Sequence, residues 1–254
     1  MRSPTRHQKR ECEYAFDRLE CTCIRADIYL REINFKTKLA RDGSLPWAED
    51  FSPATLAANM MLPLFAAMIE DYFRSVFVAL LQISEKKLSF LKSHRLDPED
   101  LLLVSDYAMS VEEAVARTLS FQNMDAIARH FRGINGRLDI RLALDDPAGT
   151  KLNASKRLSE ILQARHRFVH ENIINQGYTL GLAATDCEII RKGISQVHGH
   201  IQKVYRWRRS RRSVRTMQIT RSLPADEIIQ VGEDGPRADG LQANDEYQGP
   251  GDGS

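Results

Sequence analysis

The sequence has few of the residues on which several common classes of enzyme depend. It contains four cysteines in 254 residues, and the Cys21-Thr22-Cys23 spacing is too short for a common zinc knuckle. It also has no glycine-rich phosphate loop, no Ser-His-Asp arrangement and no cluster of metal ligands. We therefore predict no metal and no cofactor, and we expect the cysteines to be reduced thiols of a cytoplasmic protein.

The chain also lacks a long uninterrupted apolar run and a strong net charge. The most apolar run, Met60 to Ile69, continues to Leu81 but is interrupted by Glu70, Asp71 and Arg74. This pattern favours a core helix over a membrane span, and the basic N-terminus is not followed by the apolar stretch of a signal peptide. The formal net charge of +2 gives no global attraction to nucleic acid, so any basic footprint must be local.

A heptad pattern predicts one long N-terminal helix over residues 7 to about 40, within a segment 1–45. Apolar residues recur at alternating spacings of four and three along it: Cys12, Phe16, Leu19, Cys23, Ala26, Leu30 and Ile33. Two interpretations follow: an amphipathic helix on its own domain, or a helix that pairs with a second copy of the chain.

The segment 52–207 reads as an all-α helical bundle. Ser52-Pro53 predicts the start of a central apolar helix that ends near 83, and Ser110 to Glu113 has the spacing of a capping box. Residues 137–150 are expected to form a short strand or an ordered loop. Further helices are expected over 85–93, over 98–106, from Ser110 to about 132 with a break near 122, from a cap at Ser155 to His170, and over 183–207.

The composition changes in the segment 208–254, which we expect to be a basic and then acidic, disordered tail. A basic cluster surrounds a tryptophan at its start: Arg206, Trp207, Arg208, Arg209, Arg211 and Arg212. These residues could hold an RNA backbone while the indole stacks on a base. They could equally be a solvated helix end at which cations favour the helix dipole.

The passage from Arg165 to Asn172 carries the most chemistry in the sequence. Arg165 falls within an apolar stripe of its predicted helix, and a buried guanidinium needs an anion. One interpretation is an internal ion pair with Glu70 or Asp71. The other is a functional site, because arginine can hold a phosphate with a bidentate fork and His170 can move a proton near neutral pH.

The run Arg165-His166-x-x-Val169-His170-Glu171-Asn172 resembles the signature helix of the HEPN (higher eukaryotes and prokaryotes nucleotide-binding) family. The resemblance covers about residues 54–207. It implies an antiparallel helical bundle that forms a homodimer through the motif helix, with Arg165 and His170 catalytic and with His166, Glu70 and Asn172 supporting them. Some toxin members have a modified tyrosine where this chain has Asn172, so modification at that position is not expected.

The resemblance further implies a metal-independent endoribonuclease that acts on RNA as a toxin, phage-defence or stress effector, with an antitoxin or regulatory protein as a further partner. The alternatives are a non-catalytic HEPN-like module that senses nucleotides or serves as a scaffold, and a coiled-coil interaction protein in which Arg165 is a core ion pair.

Overall fold

A computed structural model describes residues 4–40, 52–145 and 153–208. The described residues form nine helices and no strand, which confirms the all-α class for this part of the chain. The helices are α1 (Arg6–Ala40), α2 (Pro53–Leu81), α3 (Lys87–Ser93), α4 (Pro98–Ser105), α5 (Val111–Thr118), α6 (Met124–Ile134), α7 (Ile140–Leu144), α8 (Ala154–His170) and α9 (Leu180–Tyr205).

Helix α2 lies at the centre of the fold, as its apolar sequence predicts. Its N-terminus is closed by Ser52, whose side chain accepts a hydrogen bond from the Thr55 amide at 3.3 Å, and Pro53 occupies the first turn. Pro63 lies inside the helix, which continues through it. Helix α2 packs against α1, α5, α6, α8 and α9, and these contacts bury most of its faces. It therefore sets the position of each of these helices.

The heptad seam of α1 is buried in the same core as the rest of the described chain. Its residues pack against α2 and α9, with six of the seven buried and Ile33 partly buried. Phe16 stacks on His198 of α9 with ring centroids 4.6 Å apart, and Tyr72 of α2 makes a 3.3 Å hydrogen bond to the same imidazole. The seam therefore packs within the helix's own domain, and the expectation that this seam pairs with a second copy of the chain is wrong.

The middle of the chain forms short helices, largely as predicted. Ser110 and Glu113 make the expected capping box at the start of α5. The break expected near residue 122 is present, and α6 starts afresh with Asn123 accepting bonds from two backbone amides.

The segment expected to be a strand or loop instead contains the helix α7. Asp139 accepts a hydrogen bond from the Leu142 amide at 3.1 Å, which caps the helix. The alternating leucines suggested a period of two, but Ile140, Ala143 and Leu144 are the buried positions while Leu142 is exposed. The buried positions of this segment therefore follow the spacing of a helix and not the alternation of a strand.

The two last helices position the motif. The cap of α8 is Asn153, which accepts a bond from the Lys156 amide at 3.0 Å, and not Ser155, which is buried in the first turn. Helix α9 begins three residues earlier than expected because Thr179 caps it. No helix of the described ranges combines the length and the apolar character needed to cross a bilayer.

Candidate functional site

Helix α8 has a buried N-terminal half and an exposed C-terminal end. Leu158, Ile161 and Leu162 are buried, whereas Val169 is 47% exposed. Arg165 is half-buried where the helix leaves the core. The expectation that it lies within a continuous buried stripe is therefore wrong, since the apolar surface of α2 and α9 does not cover the last turns of α8.

Arg165 lines a cleft with a volume of about 250 Å³ between α8 and α2. Glu70 of α2, Gln122 from the loop between α5 and α6, and His166 and Glu171 of the motif line the same cleft. The sequence thus predicted three residues that the fold brings together: Arg165, His166 and Glu70. Gln122 and Glu171 carry no pattern in the sequence that identifies them as neighbours of this arginine.

The described residues give Arg165 no ion pair or hydrogen bond. Asp71, one of the two partners considered from the sequence, is instead bound by Arg18 of α1 at 3.1 Å. Glu70 shares the cleft with Arg165 but makes no ion pair with it. Within the described part of the chain, the guanidinium therefore lies beside a solvent-accessible cleft with its donors available to a ligand.

His166 connects the cleft to His170. The two imidazole rings have centroids 4.7 Å apart and are tilted by 42°, as expected for residues four apart on a helix. Both side chains are exposed, and His170 does not itself line the cleft. One end of α8 thus presents an arginine and two adjacent imidazoles to solvent.

Asn172 occupies a conformation that explains its presence without any chemical role. Its φ is 53°, in the left-handed region that asparagine tolerates better than most residues. Directly after it, the Ile173 amide donates to the Arg167 carbonyl at 3.2 Å. Asn172 therefore ends α8 and turns the chain away from His170, and it is not among the residues that line the cleft.

In the buried N-terminal half of α8, a polar network fixes the helix to α9. Arg157 donates to both carboxylate oxygens of Asp186, at 2.6 and 2.8 Å, and Tyr178 donates its hydroxyl to Asp186 at 2.7 Å. Burial and the carboxylate of Asp186 raise the pKa of Tyr178, which stays protonated. The network was not predicted from the sequence, in which its signal is Asp186 beside Ala183, Cys187 and Ile190 on one face of an apolar helix.

A second polar contact holds the loop that follows the motif. Asn59, fully buried in α2, donates to the Asn175 carbonyl at 3.0 Å and accepts from the Asn175 amide at 2.9 Å. The sequence signal was an asparagine within the most apolar helix. This pair and the Tyr178 hydroxyl hold both sides of the turn between α8 and α9.

The basic cluster does not act as one surface within the described residues. Arg206 and Arg208 are exposed, but Trp207 is 6% exposed and packs beside Tyr205 in the core. The expectation that this indole stacks on a base therefore disagrees with its position. Arg209, Arg211 and Arg212 lie outside the described residues, as does the acidic tail.

Comparison with models of protein families, with curated proteins and with solved structures found no match. Over residues 4–40, 52–145 and 153–208, no group of side chains is arranged to hold a metal ion. The four cysteines are free thiols, and only Cys21 among them is not buried. The site therefore has to be interpreted from its own residues.

Proposed function

We propose that this protein is a metal-independent endoribonuclease of the HEPN type, acting as a toxin, phage-defence or stress effector. One observation carries the proposal: Arg165 lies at a cleft beside His166, whose ring contacts that of His170. A guanidinium without a partner among the described residues and two adjacent imidazoles provide the groups that cleavage of RNA requires.

The chemistry follows from these groups. One neutral imidazole of the His166–His170 pair takes the proton of a ribose 2′-hydroxyl as its oxygen attacks the adjacent phosphorus. A protonated imidazole delivers a proton to the leaving 5′-oxygen, and the bond from phosphorus to that oxygen breaks. Arg165 binds the phosphoryl oxygens, on which negative charge accumulates in the transition state. The products are a 2′,3′-cyclic phosphate and a 5′-hydroxyl.

The proposed active form is a homodimer through α8. Because Arg165 and His170 are five residues apart, their directions from the helix axis differ by about 140°. One copy therefore presents them poorly to a single phosphate, whereas two copies facing each other can combine the arginine of one with the histidine of the other. Val169, which precedes His170, and Ile173, three residues after it, are both about half exposed and suit such a contact.

The test is cleavage of RNA in EDTA by purified protein. We expect Arg165→Ala to lower the rate by about 10²–10³-fold and His170→Ala by about 10²–10⁴-fold. His166→Ala should also slow cleavage if the two rings share the proton transfers. Arg129→Ala, which removes an exposed arginine from α6, is the matched control and should cleave at the wild-type rate. Equal rates for wild type and both main variants would refute the proposal.

A second candidate is a non-catalytic module of the same fold that senses nucleotides or serves as a scaffold. It is favoured by Glu70 and Glu171, because these two carboxylates offset the charges of Arg165 and Arg167 in the same cleft and so weaken the attraction for an RNA backbone. This candidate predicts nucleotide binding that Arg165→Ala weakens, without cleavage of RNA in EDTA.

A further inference from the structure

Two of the four cysteines meet inside the protein, where α1 packs against α9. Cys23 of α1 and Cys187 of α9 are 2% and 4% exposed, and both belong to the hydrophobic core. The Cys187 thiol donates a hydrogen bond to the Cys23 carbonyl at 3.4 Å, and the two side chains also hydrogen-bond each other. The fold thus places side by side two thiols that are 164 residues apart in the sequence.

The packing of the two helices keeps these thiols together. Cys23 belongs to the buried seam of α1, which packs against α9, and Cys187 lies on the buried face of α9 between Ala183 and Ile190. A disulfide requires the two sulfurs to approach to about 2.0 Å. Because the side chains are already in contact, rotation about their own bonds can bring the sulfurs together.

The surroundings give the two sulfurs different roles. The hydrogen bond from the Cys23 thiol, assisted by the charge of Arg191, lowers the pKa of Cys187. Burial and the carboxylates of Asp27 and Glu188 oppose this shift. The same hydrogen bond, together with burial, raises the pKa of Cys23. Because the thiolate is the nucleophile in thiol oxidation, Cys187 is the sulfur that reacts first.

We propose that Cys23 and Cys187 form an oxidation site, at which a peroxide converts the two thiols into an intramolecular disulfide. The Cys187 thiolate attacks one oxygen of hydrogen peroxide, the O–O bond breaks, and Cys187 becomes a sulfenic acid. The Cys23 sulfur then attacks the sulfenic sulfur. The S–S bond forms, the S–O bond breaks, and the oxygen leaves as water with the proton of Cys23. The hydroxide of the first step takes a proton from solvent, so the cysteines lose two electrons and the peroxide becomes two water molecules.

The disulfide ties α1 to α9 and has a measurable effect on the whole chain. It joins residues 164 apart, and closing so long a loop restricts the unfolded chain much more than the folded one. We therefore expect the oxidised protein to melt about 5–10 °C above the reduced protein. The site is independent of the proposed ribonuclease activity, because neither thiol lines the cleft of Arg165.

The experiment oxidises the full chain carrying Cys21→Ser with hydrogen peroxide under native conditions and then blocks free thiols with N-ethylmaleimide in urea. Cys21 is replaced because it is not buried and shares a tryptic peptide with Cys23. Mass spectrometry should find the tryptic peptides of Cys23 and Cys187 joined, and dithiothreitol should separate them. Cys12 is the control within the same molecule. Burial raises its pKa to about 12, and it should remain free to react with N-ethylmaleimide.

Cys187→Ser in the Cys21→Ser background is the matched variant. It should give no joined peptide, and peroxide should not raise its melting temperature. The proposal is overturned if Cys23 and Cys187 stay free thiols under an exposure to peroxide that oxidises Cys21 of the wild type. It is also overturned if Cys187 becomes a sulfinic acid without joining Cys23, or if Cys12 forms disulfides as readily as the pair does.

Discussion

Two arginines of helix α8, eight residues apart, have opposite environments. Arg157 donates two hydrogen bonds to the buried carboxylate of Asp186 and a third to Glu160. Arg165 lies two turns further on, at the rim of a cleft, with no such partner in the described residues. The donors of Arg157 already stabilise the fold, whereas those of Arg165 can bind a ligand. Stability measurements on variants of both arginines test this distinction.

The largest expected effect comes from removing the partner of Arg157. Asp186→Ala removes two of the three hydrogen bonds of the Arg157 guanidinium and leaves Tyr178 with a buried hydroxyl that has lost its hydrogen bond. We expect the free energy of unfolding to fall by about 3 kcal/mol, measured by urea denaturation. Tyr178→Phe keeps the ion pair and should cost only about 1 kcal/mol. A loss below about 1 kcal/mol for Asp186→Ala would mean that Arg157 is no better held than Arg165.

The next effect concerns the turn that follows the motif. Asn59→Ala removes both bonds to the Asn175 backbone and leaves that amide and carbonyl without these partners. The expected cost is about 1–3 kcal/mol in urea denaturation. Hydrogen exchange should accelerate at Asn175 and Gly177 while the N-terminal half of α8 remains protected. Unchanged exchange at these amides would show that the bond from Tyr178 to Asp186 alone holds this turn.

The sequence predicted the helices well and the surroundings of these two arginines poorly. Caps such as Ser52 and Ser110 act within one turn, so local pattern is sufficient to find them. The pairing of Arg157 with Asp186 joins residues 29 apart in the chain, and no helical period connects them. Arg165 was expected in the core because the stripe continues to Val169, but how far a neighbouring helix covers that stripe depends on tertiary packing. From the sequence, Glu70 could be named only as one of two possible partners of Arg165, the other being Asp71.

Histidine offers the same contrast between a side chain held by the fold and one at the surface. His130 packs against Phe77 and Phe121 and bonds to the Ser120 carbonyl at 3.1 Å, whereas His170 is exposed. Burial, assisted by the nearby charges of Arg129 and His94, lowers the pKa of His130 below its ordinary value of 6.5, against the bond to Ser120. Between the lowered pKa of the folded chain and 6.5, the unfolded chain binds a proton at His130 that the folded chain does not bind. The free energy of unfolding therefore falls as the pH falls.

We therefore expect the contribution of His130 to be complete above about pH 6.5 and to decline as the pH falls through its lowered pKa. The free energy of unfolding of the wild type, relative to His130→Gln, should drop by less than about 1 kcal/mol between pH 7 and pH 5.5. His170→Gln, at an exposed position, serves as the comparison variant. A difference that grows on acidification would contradict the burial of a neutral His130.

The smallest expected effect is the one on which the interpretation of Arg165 depends. Because its guanidinium makes no bond within the described residues, Arg165→Ala should change the free energy of unfolding by no more than about 0.5 kcal/mol. Arg157→Ala is the matched control on the same helix and should cost several times more, since it leaves the carboxylate of Asp186 buried without its cation. If the two substitutions cost the same, Arg165 is a structural ion-pair residue, and a loss of RNA cleavage in its variant would then reflect unfolding and not chemistry. If only Arg157→Ala is costly, a loss of cleavage in Arg165→Ala can be assigned to the site.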